Sequence, residues 1–108
     1  MVNVSPEIVN KVKTFAKSVA EDVLIKKVYL FGSHASGRAN EDSDIDILIV
    51  SDDFKKMAPI EINSFLFRKA AKVPGDLQPV GYSYEEYLKK KNLFLQEILE
   101  NSMEIPLQ

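Results

Sequence analysis

Cysteine is absent from the chain, so neither a disulfide nor a thiolate zinc site can stabilise it, which fits a reducing compartment and points to the cytoplasm. No stretch approaches the roughly 18 apolar residues of a membrane span, and the opening Met1-Val2-Asn3-Val4-Ser5-Pro6-Glu7 lacks the apolar core of a secretory signal. A soluble protein that does not engage membranes is expected. An excess of charge of one sign is missing too. The 14 basic and 16 acidic residues leave a net charge of -2, which offers long nucleic acid no overall electrostatic footprint. A polyanion would need the local run Lys89-Lys90-Lys91, but beside Glu85 and Glu86 that run reads first as the wet face of a helix. What is present is apolar content of 45% over 108 residues. That encloses one hydrophobic core and leaves no second domain to hold a large acceptor, so residues 1–108 are expected to form a single domain.

Local signals place the elements. Ser5 followed by Pro6 reads as an N-cap with proline at the first helical position, and Ile8, Val12, Phe15 and Val19 recur at helical spacing, which predicts a helix over residues 6–22. Val28-Tyr29-Leu30-Phe31 is a short β-prone run stopped by Gly32. The stretch from Gly32 to Ser43 is rich in Gly, Ser, Asn and Asp and predicts a loop with at most a short helix. Residues 45–50 make a second strand. Pro59 opens a helix to about Lys72 with Ile62, Phe65, Leu66 and Lys69 on one face. A third strand over residues 76–82 carries Pro79, which cannot donate to a ladder and belongs at a sheet edge. Ser83 and Glu86 form a capping-box signature for a helix from Tyr84 that runs on or restarts through Leu93 to Glu100, before a short tail from Met103. There is no internal repeat and no low-complexity segment.

The chemistry concentrates in Gly32-Ser33 and, ten residues later, Asp44-Ile45-Asp46-Ile47. Residues two apart on a strand share a face, so Asp44 and Asp46 project side by side with Cα atoms about 6.6 Å apart. Strand interiors disfavour Asp, and two on one face of an otherwise apolar strand repel each other unless a cation or external ligand sits between them. Carboxylates at that separation suit one hard cation or a close pair of them. Gly32 at the strand exit lets a phosphate approach without a Cβ in the way, and Ser33 adds a hydroxyl donor. A triphosphate and the acidic pair are both anionic, so Mg²⁺ is what makes the two halves compatible.

These residues resemble the signature of the nucleotidyltransferase superfamily that includes DNA polymerase beta, a Gly-Ser followed by Asp-x-Asp on a strand. In length and in the sequence around Ser43-Asp44-Ile45-Asp46 the chain is most similar to stand-alone minimal nucleotidyltransferases of bacteria and archaea. The resemblance is strong from Val28 to Val50 and extends loosely to the Gly81-Tyr82-Ser83-Tyr84-Glu85-Glu86 segment. It implies an α/β (α+β) architecture, a small mixed β-sheet packed against helices, and transfer of a nucleoside monophosphate, AMP from ATP above all, to an acceptor hydroxyl. It also implies a third carboxylate on a neighbouring strand. Asp52 lies about 26 Å from Asp44 along an extended chain, which excludes it, whereas Asp76 opens the third strand and can reach, although it also reads as a turn residue after Pro74-Gly75.

The resemblance therefore assigns Asp44, Asp46 and Asp76 as catalytic ligands of two Mg²⁺ ions, and Gly32, Ser33 and Arg38 as the nucleotide's phosphate grip. Many relatives carry several arginines after Gly-Ser. Here the turn reads His34-Ala35-Ser36-Gly37-Arg38, with one guanidinium at its end. His34, the single histidine, is equally a phosphate contact and a loop or capping residue. Stand-alone members occur beside a small all-helical HEPN toxin that they neutralise by binding it or by attaching AMP to a tyrosine. The resemblance thus implies an antitoxin with a HEPN-type partner. A catalytically silent antitoxin and a nucleotide-binding module are the alternatives. Leu93, Phe94, Leu95, Ile98 and Leu99 exceed one narrow stripe of the last helix, leaving apolar surface for that partner or for a second copy of the chain.

Overall fold

The structure, a computed structural model, describes residues 4–40 and 42–107. Its elements run α1 (Pro6–Val19), β1 (Ile25–Phe31), α2 (Ser33–Ser36), β2 (Ile45–Ser51), a 3-10 turn (Asp52–Lys56), α3 (Pro59–Ala70), β3 (Leu77–Tyr82), α4 (Tyr84–Lys89), α5 (Leu93–Glu100) and β4 (Met103–Glu104). The strands form one mixed sheet in the order β3-β2-β1-β4, with β1 antiparallel to both β2 and β4 and β2 parallel to β3. Local chemistry sets the helix starts as expected: Ser5 accepts from the Ile8 amide, and Ser83 and Glu86 close a reciprocal capping box. Lys90, in the left-handed conformation at φ 51°, ends α4, and Asn92 caps the restart into α5.

Both faces of the sheet are covered, which is why central β2 is apolar almost throughout. Ile45, Ile47 and Ile49 pack with Val12, Phe15, Ile62 and Leu66 from α1 and α3, while Leu48 and Val50 meet Leu95 and Ile98 of α5 on the other face. Pro79 lies in edge strand β3, as its missing donor requires. Gly81 on the same strand lets α3 approach: a Cβ there would stand 2.5 Å from Ile62 Cγ2 and 2.9 Å from Leu66 Cδ1.

Lys69 lies on the apolar face of α3 as expected, but several element bounds differ from the sequence expectations, β1 beginning at Ile25 instead of Val28. Helix α1 stops at Val19 and α3 at Ala70, short of residues 22 and 72. Beyond α1, Glu21 and Asp22 both pair with the ammonium of Lys69, 3.5 Å away in the case of Glu21. Lys69 is buried on the apolar face of α3, its aliphatic stem in the core and its charge neutralised by the neighbouring connection. The tail adds a fourth strand. Met103 and Glu104 pair with Leu30 and Tyr29, and the Ile105 amide donates to the Val28 carbonyl at 2.8 Å. A two-residue strand is too short for alternation to reveal.

Replacing Gly81 by Ala should lower stability by about 1–3 kcal/mol through overpacking against α3. Thermal or urea unfolding measures this, and an unchanged midpoint would show that α3 does not rest on that strand.

Candidate active site

Strand β1 runs out at Phe31, and Gly32 turns the chain with φ 73° and ψ -150°, a conformation that glycine tolerates and other residues avoid. A second constraint acts at the same position, because a Cβ on Gly32 would overlap the Asp46 carboxylate. The Gly32 carbonyl accepts from the amides of Ala35 and Ser36, both at 3.1 Å, making the single turn of α2. Gly37, left-handed at φ 81°, then returns the Arg38 amide to the Ser33 carbonyl at 3.0 Å. Ser33 is half-buried at the start of this turn, whereas Arg38 is exposed at its end. Among the described residues the Arg38 guanidinium makes no ion pair.

The loop back to β2 is closed by its own side chains. Asn40 Oδ1 accepts from the Asp42 amide at 2.8 Å, and the Asn40 amide donates to Ser43 Oγ at 2.9 Å. His34 Nε2 lies 3.5 Å from the Ser43 carbonyl, a long contact that ties α2 to the entrance of β2. Strand β2 begins at Ile45, so Asp44 sits at its mouth and Asp46 is the first acidic position inside it.

The parallel pairing of β2 and β3 places the remaining groups. Ile45 pairs with Leu77 and Asp46 with Gln78, and the Ile45 amide donates to the Asp76 carbonyl at 2.8 Å. Continuing that register by one residue sets Asp44 beside Asp76 at the mouths of the two strands. Side-chain hydrogen bonding with Asp76, and then the Asp76 charge, raise the Asp44 carboxyl above its ordinary value. Asp46 is also raised, first by burial and then by the Asp44 charge, with His34 opposing. Gln78, which pattern reading passed over, donates from Nε2 to Asp76 Oδ1 at 3.0 Å and so holds the third carboxylate from the strand position facing Asp46. Its only sequence signal was period-2 spacing from Asp76.

The structure thus brings Asp46 under Gly32, Asp44 against Asp76, and Gln78 between the two groups. Among the described residues no three acidic or histidine side chains converge into a ready-made metal cage, and no lysine or arginine pairs with Asp44, Asp46 or Asp76. An open polar hollow of about 840 Å³, lined in part by Lys11, His34, Ser43 and Asp76, flanks the site on the side of α1. A smaller one of about 400 Å³ begins at Gly32 and Phe31 on the side of α5.

The raised carboxyls make a signed prediction. A carboxyl whose folded pKa exceeds its unfolded one binds more protons in the fold, so its cost is absent below the unfolded pKa and appears as pH rises through the folded one. Without divalent cations at pH 7, Asp46→Asn should therefore raise Tm by about 2–5 °C, allowing for solvent screening at this half-buried site. The gain should vanish below about pH 4. A lower Tm for the variant at pH 7 would contradict the repulsion.

Residues 12–105 match the family model described as a nucleotidyltransferase domain. A candidate protein adenylyltransferase of Methanocaldococcus jannaschii is 68% identical over 28 residues, a match that spans 26% of this chain and only 28% of that protein's length. A candidate nucleotidyltransferase from Sulfolobus solfataricus superposes with a TM-score of 0.70 at 22% identity, covering 91% of this chain and 78% of that one. A toxin-antitoxin structure with AMP-PNP superposes at 0.59, also at 22% identity, covering 93% and 73%. At that identity the two structures speak for the fold, and the family model, which takes in nearly the whole chain, speaks for descent: the protein belongs to the nucleotidyltransferase domain family.

Proposed function

We propose that this chain is a Mg²⁺-dependent nucleotidyltransferase that transfers a nucleoside monophosphate, AMP from ATP, to a hydroxyl on a partner protein. The observation that carries the reading is Asp44 set against Asp76 at the strand mouths with Asp46 two residues further in beneath Gly32, while among the described residues no lysine or arginine pairs with any of the three. The raised carboxyls of Asp44 and Asp46 are the mark of carboxylates that lack a countercharge, and an all-oxygen donor set suits a hard divalent ion. Mg²⁺ bound there supplies charge neutralisation for the triphosphate and polarisation of the acceptor. Gly32 and Ser33 hold the β and γ phosphates and Arg38 swings in from solvent to add a guanidinium fork. Asp76, steadied by Gln78, accepts the proton of the acceptor hydroxyl as its oxygen attacks the α phosphorus and pyrophosphate leaves in line.

The chain folds and works as one domain in the cytoplasm, and the acceptor comes from a second polypeptide. A HEPN-type helical toxin is the partner proposed, in keeping with the toxin-antitoxin assembly among structures of the same fold. The exposed Leu93 at the start of α5 offers it apolar surface. A second reading, a silent antitoxin that acts by occlusion, draws on one observation: the lone arginine of the phosphate turn stands free in solvent.

Two experiments test this. Incubation of the protein and its genomic neighbour with labelled ATP, GTP, CTP and UTP should label the neighbour, and Asp44→Asn/Asp46→Asn should reduce the transfer about a hundredfold or more. A stable complex without transfer would favour occlusion, nucleotide binding with neither would leave a sensing module, and absence of all three would remove the proposal. Ser33→Ala should change stability by less than about 1 kcal/mol while weakening triphosphate affinity about tenfold or more, the loss expected for a hydrogen bond to a charged group. Unfolding and calorimetry separate the two effects, and a large stability loss with unchanged affinity would make Ser33 structural.

A further inference from the structure

The hollow on the α5 side of Gly32 is lined by Phe31, Phe94, Glu97, Ile98, Glu100 and Asn101 and measures about 400 Å³, within the range of small-ligand sites. It is continuous with the candidate site for a topological reason. Phe31 stands opposite Asp46 in the β1–β2 register, and cross-strand partners share a face. On β2 that face is also the one from which Leu48 and Val50 meet α5. The Asp46 carboxylate and the aromatic hollow therefore open on the same side of the sheet, with Gly32 common to both. Phe94 keeps 51% of its surface exposed, a large apolar cost for a residue that the second core does not require.

From this we infer that the hollow is the nucleobase pocket, in which Phe31 and Phe94 offer ring faces and Glu97 and Asn101 read a base that carries an exocyclic amine. The inference rests on the reading that Gly32 and Ser33 hold the triphosphate. Its charge supports the orientation. The lining contains two carboxylates and no cation, so it repels phosphate and leaves the polyanionic end of the nucleotide to Gly32, Ser33 and the acidic site. A carboxylate accepts from the amine of adenine, guanine or cytosine, while uracil presents a carbonyl at the corresponding place and meets Glu97 as acceptor against acceptor. Asn101 can donate as well as accept, which suits the adjoining ring nitrogen.

Calorimetry with Mg²⁺ and four probes tests the pocket: a non-hydrolysable ATP analogue, its UTP counterpart, inorganic tripolyphosphate and, separately, the purified partner. Wild type should bind the ATP analogue about tenfold or more tightly than tripolyphosphate, the gain that aromatic stacking gives one base, and more tightly than the UTP analogue. Phe94→Ala, at a half-exposed position, should fold and should bring the ATP analogue close to tripolyphosphate while leaving tripolyphosphate unchanged. Glu97→Gln should narrow the preference over UTP. An ATP-to-tripolyphosphate ratio unaltered by Phe94→Ala overturns the pocket while the phosphate site stands. Loss of partner affinity in that variant with the ratio unaltered overturns it too and assigns the face to the partner. Failure of wild type to bind either the nucleotides or tripolyphosphate overturns the phosphate reading on which the pocket rests.

Discussion

Repulsion among carboxylates is the interaction around which the rest of the molecule is arranged. Asp44 and Asp76 meet at the mouths of two parallel strands, and Asp46 is drawn inward beneath Gly32, where burial and the Asp44 charge both resist its ionisation. Left to itself such a group would spread apart. It is held by the β2–β3 ladder, whose Ile45-to-Asp76 hydrogen bond fixes the strand mouths, and by Gln78, which restrains Asp76 from the adjoining position. A backbone that forces like charges together stores free energy that a bound cation can recover, and this ties the fold to the chemistry proposed for it.

The packing explains why that arrangement survives. Central β2 is clamped from both sides, by α1 and α3 on its isoleucine face and by α5 on its Leu48 and Val50 face, so its register cannot slip to relieve the acidic end. Gly81 brings α3 close over β3, and Lys69 anchors the start of the α1–β1 connection through Glu21 and Asp22. At its start the apolar run of β2 gives way to Asp46 and Asp44 and opens to solvent, and the two hollows flank that opening. The α5 face thus serves two ends, closing the second core with Leu95 and Ile98 and presenting Phe94 to the outside.

What could be read from the sequence was what local chemistry dictates. Ser5 before Pro6, Pro59, and Ser83 with Glu86 announce helix starts because capping is settled within four residues. The alternation of Asp44 and Asp46 with isoleucines announces a strand with one anomalous face, and the spacing from Gly32-Ser33 supplied the family. Pro79 placed β3 at an edge because a missing donor is a local fact with a topological consequence. What could not be read depends on partners distant in sequence. Gln78 gains meaning only from parallel pairing with β2, Lys69 only from the charges after α1, and Met103–Glu104 only from the open side of β1. The closeness of Gly32 to Asp46 is of the same kind. Close approach of a phosphate is one reason for glycine at that turn, and the fold adds a steric one.

In the function proposed, the acidic group requires a divalent cation before it can accept a triphosphate. Calorimetric titration of a non-hydrolysable ATP analogue into the protein, once with excess Mg²⁺ and once with a chelator, tests it most directly. Measurable affinity with Mg²⁺ and a loss of about tenfold or more without it are expected, since the nucleotide's charge then faces Asp44, Asp46 and Asp76 unscreened. Equal affinity under both conditions would contradict it.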